Sequence, residues 1–177
     1  LIQLRYFTEE DFDLLQSWIH DFTFLHQWAG HSFTYPLTDE QLYKYLKDAN
    51  QDGSSKLIYK VVDQGSNKVI GHISIGRIDR TNDNARIGRV LIGDSNYLGK
   101  GIGTEIVRQC ARIIFEDLEL NRASLGVFDF NKAAIRSYEK AGFVQEGKLR
   151  QARKFGDEYW SLIEMSMLKE EWNAYKD

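Results

Sequence analysis

Tyr97-Leu98-Gly99-Lys100-Gly101-Ile102-Gly103-Thr104-Glu105 is the stretch on which the fold turns. Three alternating glycines follow an extended segment, and behind them Ile102, Ile106, Cys110 and Ile113 recur at helical spacing. A strand therefore runs through a tight turn into a helix. At such a junction the first helical N–H groups lack partners and the helix dipole favours an anion. Glycine admits φ > 0 and removes the Cβ atoms that would hold a phosphate away. Lys100 adds a cation beside them, and a run of outward amides makes an anion-binding concavity. Glycines at a junction also serve close packing, so packing and phosphate binding are the two alternatives. A Walker A loop is excluded, because Lys100 is neither placed after GxxxxG nor followed by Ser or Thr. The dinucleotide fingerprint is excluded as well, since the spacing is GxGxG and follows a hairpin.

Upstream of the loop, KLIYKVVD, a turn at 64–67 and KVIGHISIGRID read as a β-hairpin, and ARIGRVLIGD as a third strand. Further upstream, Thr8 caps a helix carrying Phe12, Leu15 and Ile19. Thr38-Asp39-Glu40-Gln41 is a capping box ahead of Leu42, Tyr45, Leu46 and Ala49. Residues 21–37 between these helices are aromatic-rich and show no clear period. Downstream, SLGVFDF reads as a strand, Asn131 to Ala141 as a helix and EYWSLIEMSML as a final strand. Two helices, three strands, helix, strand, helix and one or more strands make an α/β (α+β) layer fold, with about four helices on a largely antiparallel sheet. Nothing marks a domain boundary, so one domain over residues 1–177 is expected.

Composition narrows the function classes. The chain is 42% hydrophobic and 13% aromatic, and 23 Lys+Arg against 26 Asp+Glu leave a formal charge of −3. That balance argues against an electrostatic nucleic-acid binder. No apolar run reaches the ~18 residues a spanning helix requires. The opening LIQLRYFTEEDF has no secretory character, and the single cysteine, Cys110, sits at a core-like helical position. A cytoplasmic protein without membrane, nucleic-acid or metal partners is expected.

The second informative stretch is Asn131-Lys132-Ala133-Ala134-Ile135-Arg136-Ser137-Tyr138-Glu139-Lys140-Ala141-Gly142-Phe143. Alone, Asn131 is an N-cap, Gly142 a helix stop and Tyr138 a packing residue. Together with GKGIG upstream, it resembles the GCN5-related N-acetyltransferases (GNAT). LIQLRYFTEEDF and EGKLRQARKFGDEYWSLIEMSML look like the branch that includes ribosomal-protein N-terminal acetyltransferases.

The resemblance implies a mixed sheet with a splayed strand pair, formed by ARIGRVLIGD and SLGVFDF, and acetyl-CoA as cofactor. Its diphosphate would lie on Leu98, Gly99, Lys100, Gly101, Ile102, Gly103 and Thr104. Its pantetheine arm would pair with the strand edge at Leu91, Ile92 and Gly93, and Asn131 would touch the arm. Tyr138 would stand near the thioester sulfur and protonate the departing thiolate. The chemistry agrees: acyl transfer from a thioester needs a neutral amine, a donor for the oxyanion and a stabiliser for the thiolate. A backbone N–H near Leu91–Ile92 suits the oxyanion.

Two positions depart from the family pattern. Members usually place Arg or Gln before the first loop glycine, where this chain has Leu98. Branch members often read Ala-Glu-Ile-Gly where this chain reads Ala85-Arg86-Ile87-Gly88. The family's base therefore does not carry over, and His72, Glu164, His26 and His31 are the candidates by chemistry. Trp28, Phe33 and Tyr35, with His72 and Arg86, are the expected acceptor-binding residues. The acceptor is a small-molecule or peptide amine, and the protein is expected as a monomer or a homodimer paired through an exposed final strand. The competing class is a non-catalytic acyl-CoA-binding module that has lost its base.

Overall fold

Seven strands hydrogen-bond in the order β1-β2-β3-β4-β5-β7-β6 in the computed structural model, which describes residues 1–176. They are β1 (Ile2–Tyr6), β2 (Leu57–Asp63), β3 (Lys68–Asp79), β4 (Asn84–Ile92), β5 (Arg122–Phe128), β6 (Val144–Phe155) and β7 (Glu158–Leu168). Six helices accompany them: α1 (Phe12–Trp18), α2 (Phe22–Ala29), α3 (Asp39–Leu46), α4 (Ile102–Arg112), α5 (Lys132–Lys140) and α6 (Lys169–Lys176). Ladders β1–β2, β2–β3, β5–β7 and β6–β7 are antiparallel, and β4–β5 is parallel. The β4–β5 ladder joins only Asn84–Arg86 to Arg122–Ser124, so the sheet is mixed, mostly antiparallel and short of pairing where the splay was expected.

Residues cluster into two units. The first comprises 1–76 and 88–102, the second 77–87 and the chain from 103 onward. In the first, Phe12 and Leu15 of α1, Leu25 of α2, and Leu42 and Tyr45 of α3 pack with Phe7, Ile58 and Leu91. Each such side chain contributes ~1.5–3 kcal/mol of burial. In the second, α4 buries Ile106, Val107 and Cys110, while β5 and β7 bury Ala123, Leu125, Met165 and Met167. Burial pushes the Cys110 thiol pKa up, as for a core cysteine.

Caps set the helix starts. The Thr38 hydroxyl accepts from the Gln41 N–H at 3.4 Å, and the Thr8 N–H donates to Asp11 Oδ2 at 2.8 Å ahead of α1. Three elements, β1, α2 and α6, correct the expected order, and β6 is one of the strands expected at its end. β1 precedes the first helix, held by its ladder to β2. α2 arises inside the aperiodic segment, because Asp21 Oδ1 accepts the Phe24 N–H at 2.7 Å. β6 is a separate strand, exposed along most of its length. α6 closes the described chain, giving six helices and not four. The expected exposed final strand is also corrected: β7 lies between β5 and β6, and β6 is the outer strand. Among the described residues no helix is long and apolar enough to cross a membrane.

Candidate active site

Residues 98–102 of the glycine loop belong to the first unit, and Gly103 and Thr104 to the second. Gly99 and Gly101 adopt φ of +72° and +78°, and a Cβ on either would meet nothing within 4 Å. Packing therefore does not explain them; backbone conformation and an open outer face do. The N–H groups of Gly99, Lys100 and Gly101 donate to no described residue. Asp94 orders the approach by accepting the Asn96 N–H at 2.9 Å, and the Tyr97 hydroxyl donates to Asp63 Oδ2 at 2.6 Å. Lys100 Nζ lies 6.0 Å from the Tyr97 ring, and Leu98 is exposed. Three unpartnered donors beside a lysine, running directly into α4, fit an anionic diphosphate.

The three strand positions before the loop differ from one another. Gly93 donates its N–H to Ile70 O at 2.8 Å, and a Cβ there would collide with the Trp18 indole. The Leu91 carbonyl faces Gly71 on β3, where a Cβ would strike it. Strand alternation then leaves the N–H and C=O of Ile92 turned to the other edge.

Three of the expected acceptor residues converge in this unit. Trp28 stacks on Phe33 with centroids 5.9 Å apart and meets the His72 ring at 5.7 Å. Arg89 and Tyr45, which are not among the expected acceptor-binding residues, join them. Arg89 of β4 lies over Phe33 at 5.6 Å and over Tyr45 at 5.0 Å. Its backbone is left-handed at φ +53°, costing ~1–2 kcal/mol for a residue with a Cβ, and Trp28 Nε1 donates to its carbonyl at 2.9 Å. A charge inside the apolar run IGRVLIG was the signal for it. Tyr35 stands apart, exposed, with its hydroxyl on His20 O at 3.1 Å.

His72 is 1% exposed, with Nε2 2.9 Å from the Tyr45 hydroxyl and Nδ1 buried without a partner. Burial first, then the Arg89 charge, bring its pKa down to about 3. The tautomer with Nε2–H donating to Tyr45 leaves a lone pair, not an N–H, unmatched. Ser74 donates to Gly88 O at 3.2 Å. His26 is buried, its ring 4.3 Å from that of His31.

Arg86, Glu164, Thr104, Asn131 and Tyr138 belong to the second unit. Arg86 Nη1 and Nη2 donate to Glu164 at 2.9 and 2.8 Å, and Nη1 reaches the Ser124 hydroxyl at 3.4 Å. Gly126 makes room, since a Cβ there would lie 2.6 Å from Nη2. The guanidinium and the carboxylate neutralise each other. Thr104 Oγ1 donates to Ser137 O at 3.2 Å, tying the first turn of α4 to α5 one residue before Tyr138. Asn131 caps α5, accepting the Ala134 N–H at 3.3 Å. Tyr138 is 8% exposed, its hydroxyl bonds no described residue, and burial raises its pKa to about 12. The phenol stays protonated at any physiological pH. Among the described residues no cluster of His, Cys, Asp or Glu is placed to hold a metal ion.

The signature of the acetyltransferase (GNAT) domain matches residues 2–144. This chain belongs to the GNAT family. It is an acetyltransferase that uses acetyl-CoA. Aminoglycoside N(6')-acetyltransferase type 1 of Klebsiella pneumoniae is 27% identical over 151 residues, covering 82% of this chain and 75% of that one. YdaF of Bacillus subtilis (strain 168), named as a candidate ribosomal N-acetyltransferase, is 34% identical over 106 residues, 60% of this chain and 57% of that one. The crystal structure of spermidine N-acetyltransferase from Vibrio cholerae with CoA and spermine superimposes with a TM-score of 0.84 at 20% identity, over 97% of this chain and 98% of that one. It shares the GNAT fold.

Proposed function

We propose that residues 1–177 act as one domain that transfers the acetyl group of acetyl-CoA to a primary amine by direct attack, without a covalent enzyme intermediate. The acceptor is a protein N-terminus or a small-molecule amine. The observation that carries this reading is the open glycine turn, with Gly99 and Gly101 unpacked, left-handed and leading three unpartnered N–H groups into α4. Residues Leu98 to Thr104 hold the diphosphate, and the free edge at Ile92 holds the pantetheine amides. Asn131 adds its side-chain amide. Acetyl-CoA supplies an activated thioester whose leaving group is a thiolate. Tyr138 keeps its proton and offers it from Oη as a hydrogen-bond donor. Relatives named for aminoglycoside and spermidine acetylation support an amine acceptor.

Glu164 favours a second reading, in which the chain binds acyl-CoA without turnover, because Arg86 neutralises this candidate base. Thiol release from acetyl-CoA across a panel of amines separates the two. Under the transferase reading Tyr138→Phe lowers kcat by about tenfold or more while acetyl-CoA affinity holds within about twofold. Tight acetyl-CoA binding with no turnover on any amine would establish the binding module.

A further inference from the structure

We propose that Arg89 is a carboxylate receptor, so that the acceptor is an amine that also bears a carboxylate and not a polycation. This rests on the acetyl-transfer reading above and names the class of its acceptor.

Arg89 is half-buried, and among the described residues it takes part in no ion pair. Buried charges are ordinarily paired, because removing a guanidinium from water without a counter-ion is unfavourable. Here the cation is held by weaker partners. Nη2 donates to the Ser32 hydroxyl at 3.0 Å, Nη1 lies 3.5 Å from Ser74 Oγ, and the aromatic faces of Phe33 and Tyr45 flank Cζ. Nε is buried with no hydrogen bond. A rigid, planar donor fork without its anion is preorganised for a carboxylate.

The surrounding groups reinforce that sign. Lys56, whose Nζ donates to Tyr45 O at 2.6 Å, has its pKa lowered first by burial, with the Arg89 charge a further cause and Asp48 opposing it. His72, the remaining titratable ring in contact with Tyr45, stays neutral. A polycation entering here would meet Arg89 without a matching acid, whereas a carboxylate would complete it.

Placement ties the charge to the acceptor. Arg89 sits on β4 three residues before Ile92, about 10 Å along an extended chain. Its cradle includes Phe33, one of the expected acceptor-binding residues, which in turn stacks on Trp28, another. A short peptide with a free α-amine and a terminal carboxylate spans that distance.

The test uses the full chain loaded with CoA and measures binding separately from turnover. N-acetyl-diglycine and N-acetyl-triglycine are titrated calorimetrically beside their C-terminal amides, and the free peptides, their amides and spermidine are assayed for thiol release. The acids are expected to bind about tenfold tighter than the amides, the usual weight of a charge-assisted hydrogen bond. Arg89→Gln should reduce that ratio to within about twofold, and Arg89→Lys should retain part of it. Acids binding no tighter than amides in the unmodified protein, or spermidine outcompeting both, overturns the proposal. A binding preference for the acid without thiol release from any amine removes the transferase reading and leaves the carboxylate site standing.

Discussion

Replacing Gly101 with alanine separates the cost of bending the loop from the cost of losing its ligand. The residue sits at φ +78°, and an added Cβ meets nothing within 4 Å. The folded protein therefore suffers only the left-handed penalty, ~1–2 kcal/mol. For a chain of this size each kcal/mol is worth about 2–4 °C, so Tm should fall by roughly 2–8 °C. Ligand binding loses more. If the loop relaxes so that one N–H no longer reaches the diphosphate, a charge-assisted bond of ~1.5–3 kcal/mol is lost, which weakens acetyl-CoA by about 10- to 150-fold. Acetyl-pantetheine, which lacks the diphosphate, should change by less than about threefold on the same scale. The structure offers its own control in Gly53, at φ +77° with equally empty surroundings but outside the loop. Gly53→Ala should lower Tm similarly and leave both ligands untouched. Calorimetric titration of both ligands against the two variants decides the matter. Equal weakening of acetyl-CoA and acetyl-pantetheine by Gly101→Ala, or no weakening of either, refutes a diphosphate on this loop.

Arg86→Met should destabilise by about 2 kcal/mol, between the values for exposed and buried pairs, because it strands a carboxylate whose side chain is 23% exposed. Pairing it with Glu164→Leu should recover most of that loss in urea unfolding, and strictly additive effects would show that the pair does not act as a unit. His72 makes stability pH-dependent: its folded pKa, about 3, lies below its ordinary 6.5, so the unfolded chain takes up the proton first. Stability is full above pH 6.5 and falls on acidification toward pH 3, by up to ~1.4 kcal/mol per pH unit. Denaturant melts of His72→Gln should show a shallower fall between pH 6.5 and 4.5, and parallel slopes would contradict the assignment.

The second half of the chain was more legible than the first. Local rules govern it: alternating glycines ahead of a periodic helix, a capping Asn131 and a stop at Gly142 each act within a few residues. α2 was hidden because Phe22 is exposed while Leu25 and His26 are buried, so its apolar residues trace no single stripe. The bounds of β6 were hidden because neither face is buried along most of its length, and only its ladder to β7 makes it a strand. Trp28, Phe33 and His72 were identified by residue type, and the structure brings them together. Arg89 and Tyr45 were missed because their meeting depends on contacts between α3 and β4, more than forty positions apart. Arg86 was expected among the acceptor-binding residues, and only the fold reveals its bidentate partner on β7.

Proton demand connects these observations to the choice of acceptor. The attacking amine must be neutral, and two of the candidate bases are withdrawn by their surroundings. Both carboxylate oxygens of Glu164 already accept charge-assisted hydrogen bonds from Arg86. His72 fails for the opposite reason. A ring whose conjugate acid has a pKa of about 3 cannot draw a proton from an α-ammonium group of pKa ~8 without an uphill step of about 7 kcal/mol. The weaker the enzyme's base, the more the rate depends on the fraction of acceptor that is already neutral. At pH 7 that fraction is about a tenth for an α-amine of pKa ~8 but only about 0.04% for a lysine-type amine of pKa ~10.4. The difference, about 250-fold, follows from ionisation before any contact with the pocket is counted. An α-amine with its carboxylate held at Arg89 meets both demands: it ionises easily, and it brings the negative charge that the aromatic cradle lacks.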